Sequence, residues 1–228
     1  IELTQTNVNI LKSITPQIVK EARDAKYIIV SNPVDIMTYV FTKISGLPEN
    51  QIMGSGTILD TARLRYGLSE HFKVAQGNIH AYVFGEHGDT SFIPWTGAYI
   101  SGLSTDEYYE EMKAHGKEVK PLDKEAMLEY VQKSGGKVIA KKGATFYAVS
   151  ATVCQLVGLI LAASDSLATV SSMLHGEYGI EDVCLSTLTL VGPNGIQGKV
   201  KMRMNKEEIA LLKKSADSLK EVIAQIEL

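Results

Sequence analysis

The 228-residue sequence has only two cysteines, Cys154 and Cys184, too few for a disulfide framework. Both stand among apolar neighbours and are expected to be small core residues in a reducing compartment. Long hydrophobic runs are missing as well. The longest, Val153 to Ala163, is interrupted by Gln155 and is too short to cross a bilayer. There is no excess of basic charge: 23 Lys and Arg against 26 Asp and Glu leave a net charge of −3. That excludes nucleic-acid binding through a basic face and attraction to an anionic membrane. Neither a signal peptide nor a methionine opens the chain. It starts Ile-Glu-Leu-Thr, already inside a helical pattern, so the sequence is expected to be a piece of a longer chain.

What is present suits a globular protein. Hydrophobic residues make up 45%, enough for a core and too many for disorder. At roughly 150 residues per domain, the length corresponds to about one and a half domains. Val8, Leu11, Ile14, Ile18 and Ala22 keep helical spacing, with a kink or restart expected at Pro16. Ala25–Val30 reads as a buried strand, ended by Ser31-Asn32-Pro33. A helix with Met37, Val40, Phe41 and Ile44 inside follows, and Gly46 and Pro48 stop it. Gln51–Gly54 reads as a second strand. This α-β-α-β order predicts a parallel sheet covered by helices.

Beyond Gly56 the pattern changes. A helix is predicted over Leu59–Phe72, then strands over Ile79–Phe84 and Ile93–Ile100. Helices are predicted over Lys124–Ser134 and Ala144–Ala163, separated by Gly135-Gly136 and Gly143. Strands are expected near Leu167–Met173, Val183–Val191 and Lys199–Met204, with a Pro193-Asn194-Gly195 hairpin turn between the last two. Asn205 and Glu208 form a capping pair for a closing amphipathic helix. The predicted class is α/β: the C-terminal part of a Rossmann-type parallel sheet (1–56), followed by an α+β substrate domain (57–228).

Three segments carry candidate chemistry. Gly85-Glu86-His87-Gly88-Asp89 follows a strand, and its histidine is suited to proton transfer near neutral pH; the plain alternative is a polar turn. Asp60 and Arg63 share a helix face. They form either a surface ion pair or a working pair, the carboxylate orienting a histidine and the guanidinium clamping a substrate carboxylate. Asn32 sits at the C-terminal end of a strand, where α/β sheets bind ligands, or is simply part of a turn. Gly54-Ser55-Gly56 permits close backbone approach, but Leu59 occupies the third glycine position of a dinucleotide fingerprint. No stretch supplies that fingerprint, a Walker A loop, a serine-nucleophile elbow or zinc-ligand spacing.

In this order the segments resemble L-lactate dehydrogenases of the lactate/malate dehydrogenase superfamily. The resemblance is carried by Val30-Ser31-Asn32-Pro33-Val34-Asp35, Gly54-Ser55-Gly56-Thr57, Leu59 to Arg65 and Gly85 to Thr90. The tail adds Tyr178-Gly179-Ile180, Val191 to Ile196 and Leu212 to Asp217. It implies NAD-dependent reduction of pyruvate to L-lactate by a cytoplasmic homotetramer, binding neither nucleic acid, membrane nor metal. It casts His87 as acid/base, Asp60 as its partner, Arg63 as carboxylate clamp and Asn32 as a contact to the reacting oxygen, before a cis Asn32–Pro33 bond. Thr145 would line the substrate pocket. Asn32, Ser55 and Val149 would meet the nicotinamide. Arg65 and His80 match positions that bind fructose 1,6-bisphosphate between protomers in many bacterial members, and a structural role is the alternative.

The family's glycine-rich cofactor loop and its mobile substrate loop, with a further arginine, are not in this sequence. The resemblance therefore implies that these 228 residues by themselves are nearly inactive. Two other readings stay open: a malate or branched-chain 2-hydroxyacid dehydrogenase, and a non-catalytic assembly module.

Overall fold

Helix α1 (Glu2–Glu21) buries Val8, Thr15 and Val19 and runs without a break through Pro16, contrary to the predicted interruption. Pro16 costs the helix one backbone bond, but the buried face around it packs tightly enough to outweigh that loss. Beside it, the Thr15 hydroxyl donates to the Leu11 carbonyl at 2.7 Å. These features come from a computed structural model that describes residues 2–228. Ile1, where the resemblance begins, lies outside the described residues.

Strand β1 (Tyr27–Ile29) follows. The chain then passes through the cis Asn32–Pro33 bond, as expected, into α2 (Val34–Ser45), which Gly46 ends at φ 63°. Strand β2 (Ile52–Gly54) lies parallel to β1, with Ile28 opposite Met53. Helix α3 (Ile58–Phe72) comes next. Strands β3 (Ile79–His80), β4 (Tyr99–Ile100) and β5 (Leu103–Ser104) form a small antiparallel sheet. The longer strands predicted here are cut short. Pro94 removes a ladder donor, Trp95–Gly97 takes a 3-10 turn, and a single bridge joins Phe84 to Phe92.

Helix α4 (Thr105–Ala114) starts with a Ser104–Glu107 capping box. Helix α5 (Lys124–Lys142) continues through Gly135-Gly136, where a separation is predicted, and ends at Gly143 with φ 80°. Helix α6 (Tyr147–Leu161) follows. It carries Cys154, which is exposed; only Cys184 is the buried residue expected of both. Five strands then replace the three predicted: β6 (Ser166–Ala168), β7 (Ser171–His175), β8 (Glu181–Ser186), β9 (Thr189–Gly192) and β10 (Gly195–Lys199). The Pro193-Asn194 turn joins β9 to β10 as a hairpin. Helix α7 (Lys206–Ile223) opens with the predicted Asn205–Glu208 capping box.

The fold is α/β with mixed sheets. One sheet has the order β1-β2-β7-β8, another β10-β9-β6. Gly54 of β2 pairs antiparallel with Ser171 of β7, so the parallel start and the later hairpin share one sheet. Its main core joins Val8 of α1, Met37 and Val40 of α2, Leu174 and Leu185 of the hairpin, and Leu212 of α7. Each such burial contributes about 1.5–3 kcal/mol. Among the described residues no helix is long and apolar enough to cross a membrane.

Candidate active site

The start of α3 is pinned from two sides. Thr57 Oγ1 donates to the Val83 carbonyl at 2.5 Å, and the Val83 N–H donates to Thr61 Oγ1 at 3.0 Å. The first turn of α3, which holds Asp60, is thereby fixed against the segment that leads to His87. Gly85 then turns the chain at φ 95°. It exchanges two backbone bonds with Ser186 at 3.0 and 3.1 Å. A Cβ on Gly85 would lie 2.8 Å from Ser215 Oγ, so position and conformation both call for glycine. Ser215 Oγ accepts from the Glu86 N–H at 2.8 Å and from the Thr90 hydroxyl at 2.9 Å, which fixes the loop on both sides of His87.

Asp60 is buried and serves two partners. Its Oδ2 lies 2.6 Å from His87 Nδ1, and its Oδ1 accepts from Arg63 Nη1 at 2.9 Å. The Asp60–Arg63 pair is largely buried, not the surface ion pair of the plain reading. With Nδ1 engaged, Nε2 is the ring nitrogen of His87 left free. The hydrogen bond to Asp60 raises the His87 pKa above its ordinary value, and the nearby Asp60 and Asp35 charges add to the rise; burial and Arg63 oppose it. The arrangement is that of an imidazole held as proton donor near neutral pH.

His87 borders a cavity of about 180 Å³ with Val30, Asn32, Ser55, Thr145 and Val149. Five sequence-predicted residues, from two strand ends, two loops and one helix, thus meet at one place. Leu59, Gly56 and Thr152 complete the lining. Apolar Val30, Leu59 and Val149 suit the face of a flat ring, while Asn32 and Ser55 can bond an amide. Asp60 reaches the cavity only through His87. Arg63 is not among the residues that line it; its Nη1 is engaged by Asp60, and its Nη2 lies beside Gly135 of α5.

Arg65 and His80 are not in this cavity. Arg65 borders a separate one of about 300 Å³ with Thr61, Tyr82 and Gln155. Its Nε donates to the Ala81 carbonyl at 3.1 Å, and its guanidinium lies 5.0 Å from the Tyr82 ring centroid. His80 is exposed on β3, opposite Tyr99.

Sequence reasoning gave no role to Asp35. It lies fully buried in the first turn of α2, and its Oδ2 accepts the backbone N–H of His87 at 2.7 Å. Its Oδ1 and the neighbouring Ser171 Oγ are buried without hydrogen-bond partners. Burial pushes the Asp35 carboxyl up to about 6, against lowering by the bond from the His87 backbone. The available signal was an acid beside the apolar inner face of a helix, two residues after the Asn32–Pro33 turn.

Comparison with known proteins agrees with this geometry. Residues 57–227 match the lactate/malate dehydrogenase alpha/beta C-terminal domain, and residues 1–54 match the NAD binding domain of the same family. An L-lactate dehydrogenase of Acetivibrio thermocellus is 46% identical over 228 residues, which is 100% of this chain and 71% of that protein. L-lactate dehydrogenase 1 of Clostridium acetobutylicum is 44% identical over 226 residues, covering 99% and 71%. A solved L-lactate dehydrogenase structure from Clostridium thermocellum superposes with a TM-score of 0.90 at 36% identity, covering 100% of this chain and 74% of the other. On the match of both domains and the likeness across its whole length, the chain belongs to the NAD-dependent lactate/malate dehydrogenase family.

Proposed function

We propose that the chain acts in the reversible reduction of pyruvate to L-lactate, with NAD as cofactor. The observation that carries this reading is the Asp60–His87 pair opening onto a cavity shared with Asn32 and Thr145. NAD, when bound, supplies or accepts the hydride. His87 gives a proton from Nε2 to the substrate carbonyl oxygen and takes it back in the reverse direction. Asp60 holds Nδ1–H and stabilises the imidazolium. Asn32 bonds the same substrate oxygen. Arg63 spends one N–H on Asp60; it lies outside the cavity lining, and its remaining donors would have to turn toward the substrate carboxylate to clamp it. Thr145 would bound the substrate end, and Ser55 and Val149, on the same cavity, would hold the nicotinamide. The L-lactate dehydrogenases at 41–46% identity support pyruvate over other 2-oxo acids. The test is NADH oxidation by the full-length enzyme with pyruvate, oxaloacetate and a branched-chain 2-oxo acid. Pyruvate should give the highest kcat/KM, and a preference for oxaloacetate would reassign the chain as a malate enzyme.

The same reading places a domain boundary after Gly56; the two family matches, ending at 54 and beginning at 57, support it. It also places the protein in the cytoplasm as a homotetramer. Tyr147 and Leu161 of α6 are 72% and 79% exposed, an apolar surface that suits subunit contact. Arg65 and His80 are kept as contacts for fructose 1,6-bisphosphate between protomers, supported by the Arg65 bond to the carbonyl next to His80. Sedimentation with and without the sugar tests both: a monomer unaffected by it removes them.

A further inference from the structure

A second cluster of polar groups lies apart from the His87 cavity and shares no residue with it. Lys199, the last residue of β10, is largely buried. Its Nζ donates to the Ser172 hydroxyl of β7 and, at 3.4 Å, to Thr189 Oγ1 of β9. Among the described residues none of the ion pairs within 4.0 Å involves Lys199. Two hydroxyls therefore occupy two of the three donors of an ammonium, and no carboxylate compensates its charge.

Lys199 borders a cavity of about 220 Å³ that also includes Met173, Ile196, His175, Glu49 and Glu177. At its exposed rim, His175 Nε2 lies 2.5 Å from Glu49 Oε2. Glu177 Oε2 accepts the His175 backbone N–H at 2.6 Å. The cavity thus has an amine inside, an acid/base couple at the rim and a negative fringe that disfavours anions.

We propose that Lys199 is a covalent binding site for small uncharged aldehydes, which it holds as imines. The Nζ lone pair attacks the carbonyl carbon and forms the C–N bond. The carbonyl oxygen takes up the proton that nitrogen loses, giving a carbinolamine. A proton passed in from the His175–Glu49 couple at the rim then lets the hydroxyl leave as water, the nitrogen lone pair closes the C=N bond, and the proton left on nitrogen returns to the couple. Amine plus aldehyde becomes imine plus water, with no change of oxidation state.

Burial provides the neutral amine this needs. It pulls the Lys199 pKa down to about 8, with Cys184, Glu177 and Glu49 opposing the fall. At pH 7 that leaves about one amine in ten unprotonated, against fewer than one in a thousand for a solvated lysine. Lys73, with a side chain 78% exposed, is the internal reference.

The test is brief treatment at pH 7 with propionaldehyde and sodium cyanoborohydride, followed by peptide mapping by mass spectrometry. Lys199 should be alkylated at least tenfold faster than Lys73; equal or slower labelling overturns the proposal. Glyoxylate at the same concentration should label Lys199 more slowly than propionaldehyde, and the reverse order overturns the ligand class. His175→Asn, a change at an exposed side chain, should slow labelling at Lys199 at least threefold and leave Lys73 unchanged. An unchanged Lys199 rate removes His175 from the step.

Discussion

The backbone N–H of His87 donates to Asp35 Oδ2 at 2.7 Å, so a carboxyl on α2 fixes the main chain of a residue whose ring is fixed by Asp60 on α3. Asp35 carries a titration of its own. Its folded pKa of about 6 lies above the ordinary carboxylate value. Between roughly pH 4 and 6 the folded state binds more protons than the unfolded state, so this group lowers stability as pH rises through that window. Asp35→Asn keeps an acceptor for the His87 N–H and removes the charge. Denaturant unfolding at pH 5 and pH 8 should show the variant gaining relative to the natural protein at the higher pH. An identical pH slope in both would show that Asp35 does not titrate this way.

Asp60 raises the pKa of His87, and the sign of its effect on rate follows. With His87 as the proposed proton donor, pyruvate reduction draws on the imidazolium, so the rate should hold below the raised pKa and fall as pH rises through it. The pairing also contributes stability that is complete below about pH 6.5 and is lost across the same rise. Asp60→Asn should move the descending limb of the kcat/KM profile to lower pH and reduce activity at pH 7.5 by about 100-fold or more. A limb that stays in place would detach Asp60 from the protonation of His87.

Gly85→Ala tests the loop itself. The substitution puts a side chain at φ 95° and a Cβ 2.8 Å from Ser215 Oγ and 3.2 Å from the Thr90 carbonyl. Backbone strain of this kind costs about 1–3 kcal/mol. Urea unfolding should show a loss in that range, together with reduced kcat as His87 shifts. Unaltered stability would mean that the loop has an alternative seat.

The legible part of the sequence was the part governed by local chemistry. Gly46 and Gly143 end helices, Asn205 with Glu208 starts one, and Pro193-Asn194 turns a hairpin. Pro16 and Gly135-Gly136 misled because tertiary packing outweighs a weak local preference against helix. At Gly135 a Cβ would meet only Arg63 Nη2, at 3.8 Å, so neither strain nor crowding requires glycine there. The strand predicted over 93–100 failed on Pro94, whose missing N–H cannot be traded against apolar periodicity. His87, Asp60 and Arg63 are legible as residue types suited to proton transfer and carboxylate binding, Asn32 as a contact to a substrate oxygen, and their order along the chain points to one family. Asp35 was hidden because its role is to hold a backbone, and no side-chain pattern announces that. The Asp60–Arg63 spacing fits either a surface ion pair or a working pair, and only burial, which no spacing reveals, excludes the surface pair.

The Gly54–Ser171 pairing has a consequence for how the site can change. Asn32 follows a strand on one side of that seam, and His87 hangs from Ser186, on the other side, through the Gly85 bonds. A hinge between the two halves would have to tear the shared ladder. The distance between His87 and Asn32, the proposed proton donor and oxygen contact, is therefore set by the sheet, like two jaws cast in one piece. Thr145, on the connection between α5 and α6, belongs to neither jaw. If Thr145 bounds the substrate as proposed, substrate range can drift through that connection while the His87–Asn32 geometry stays fixed.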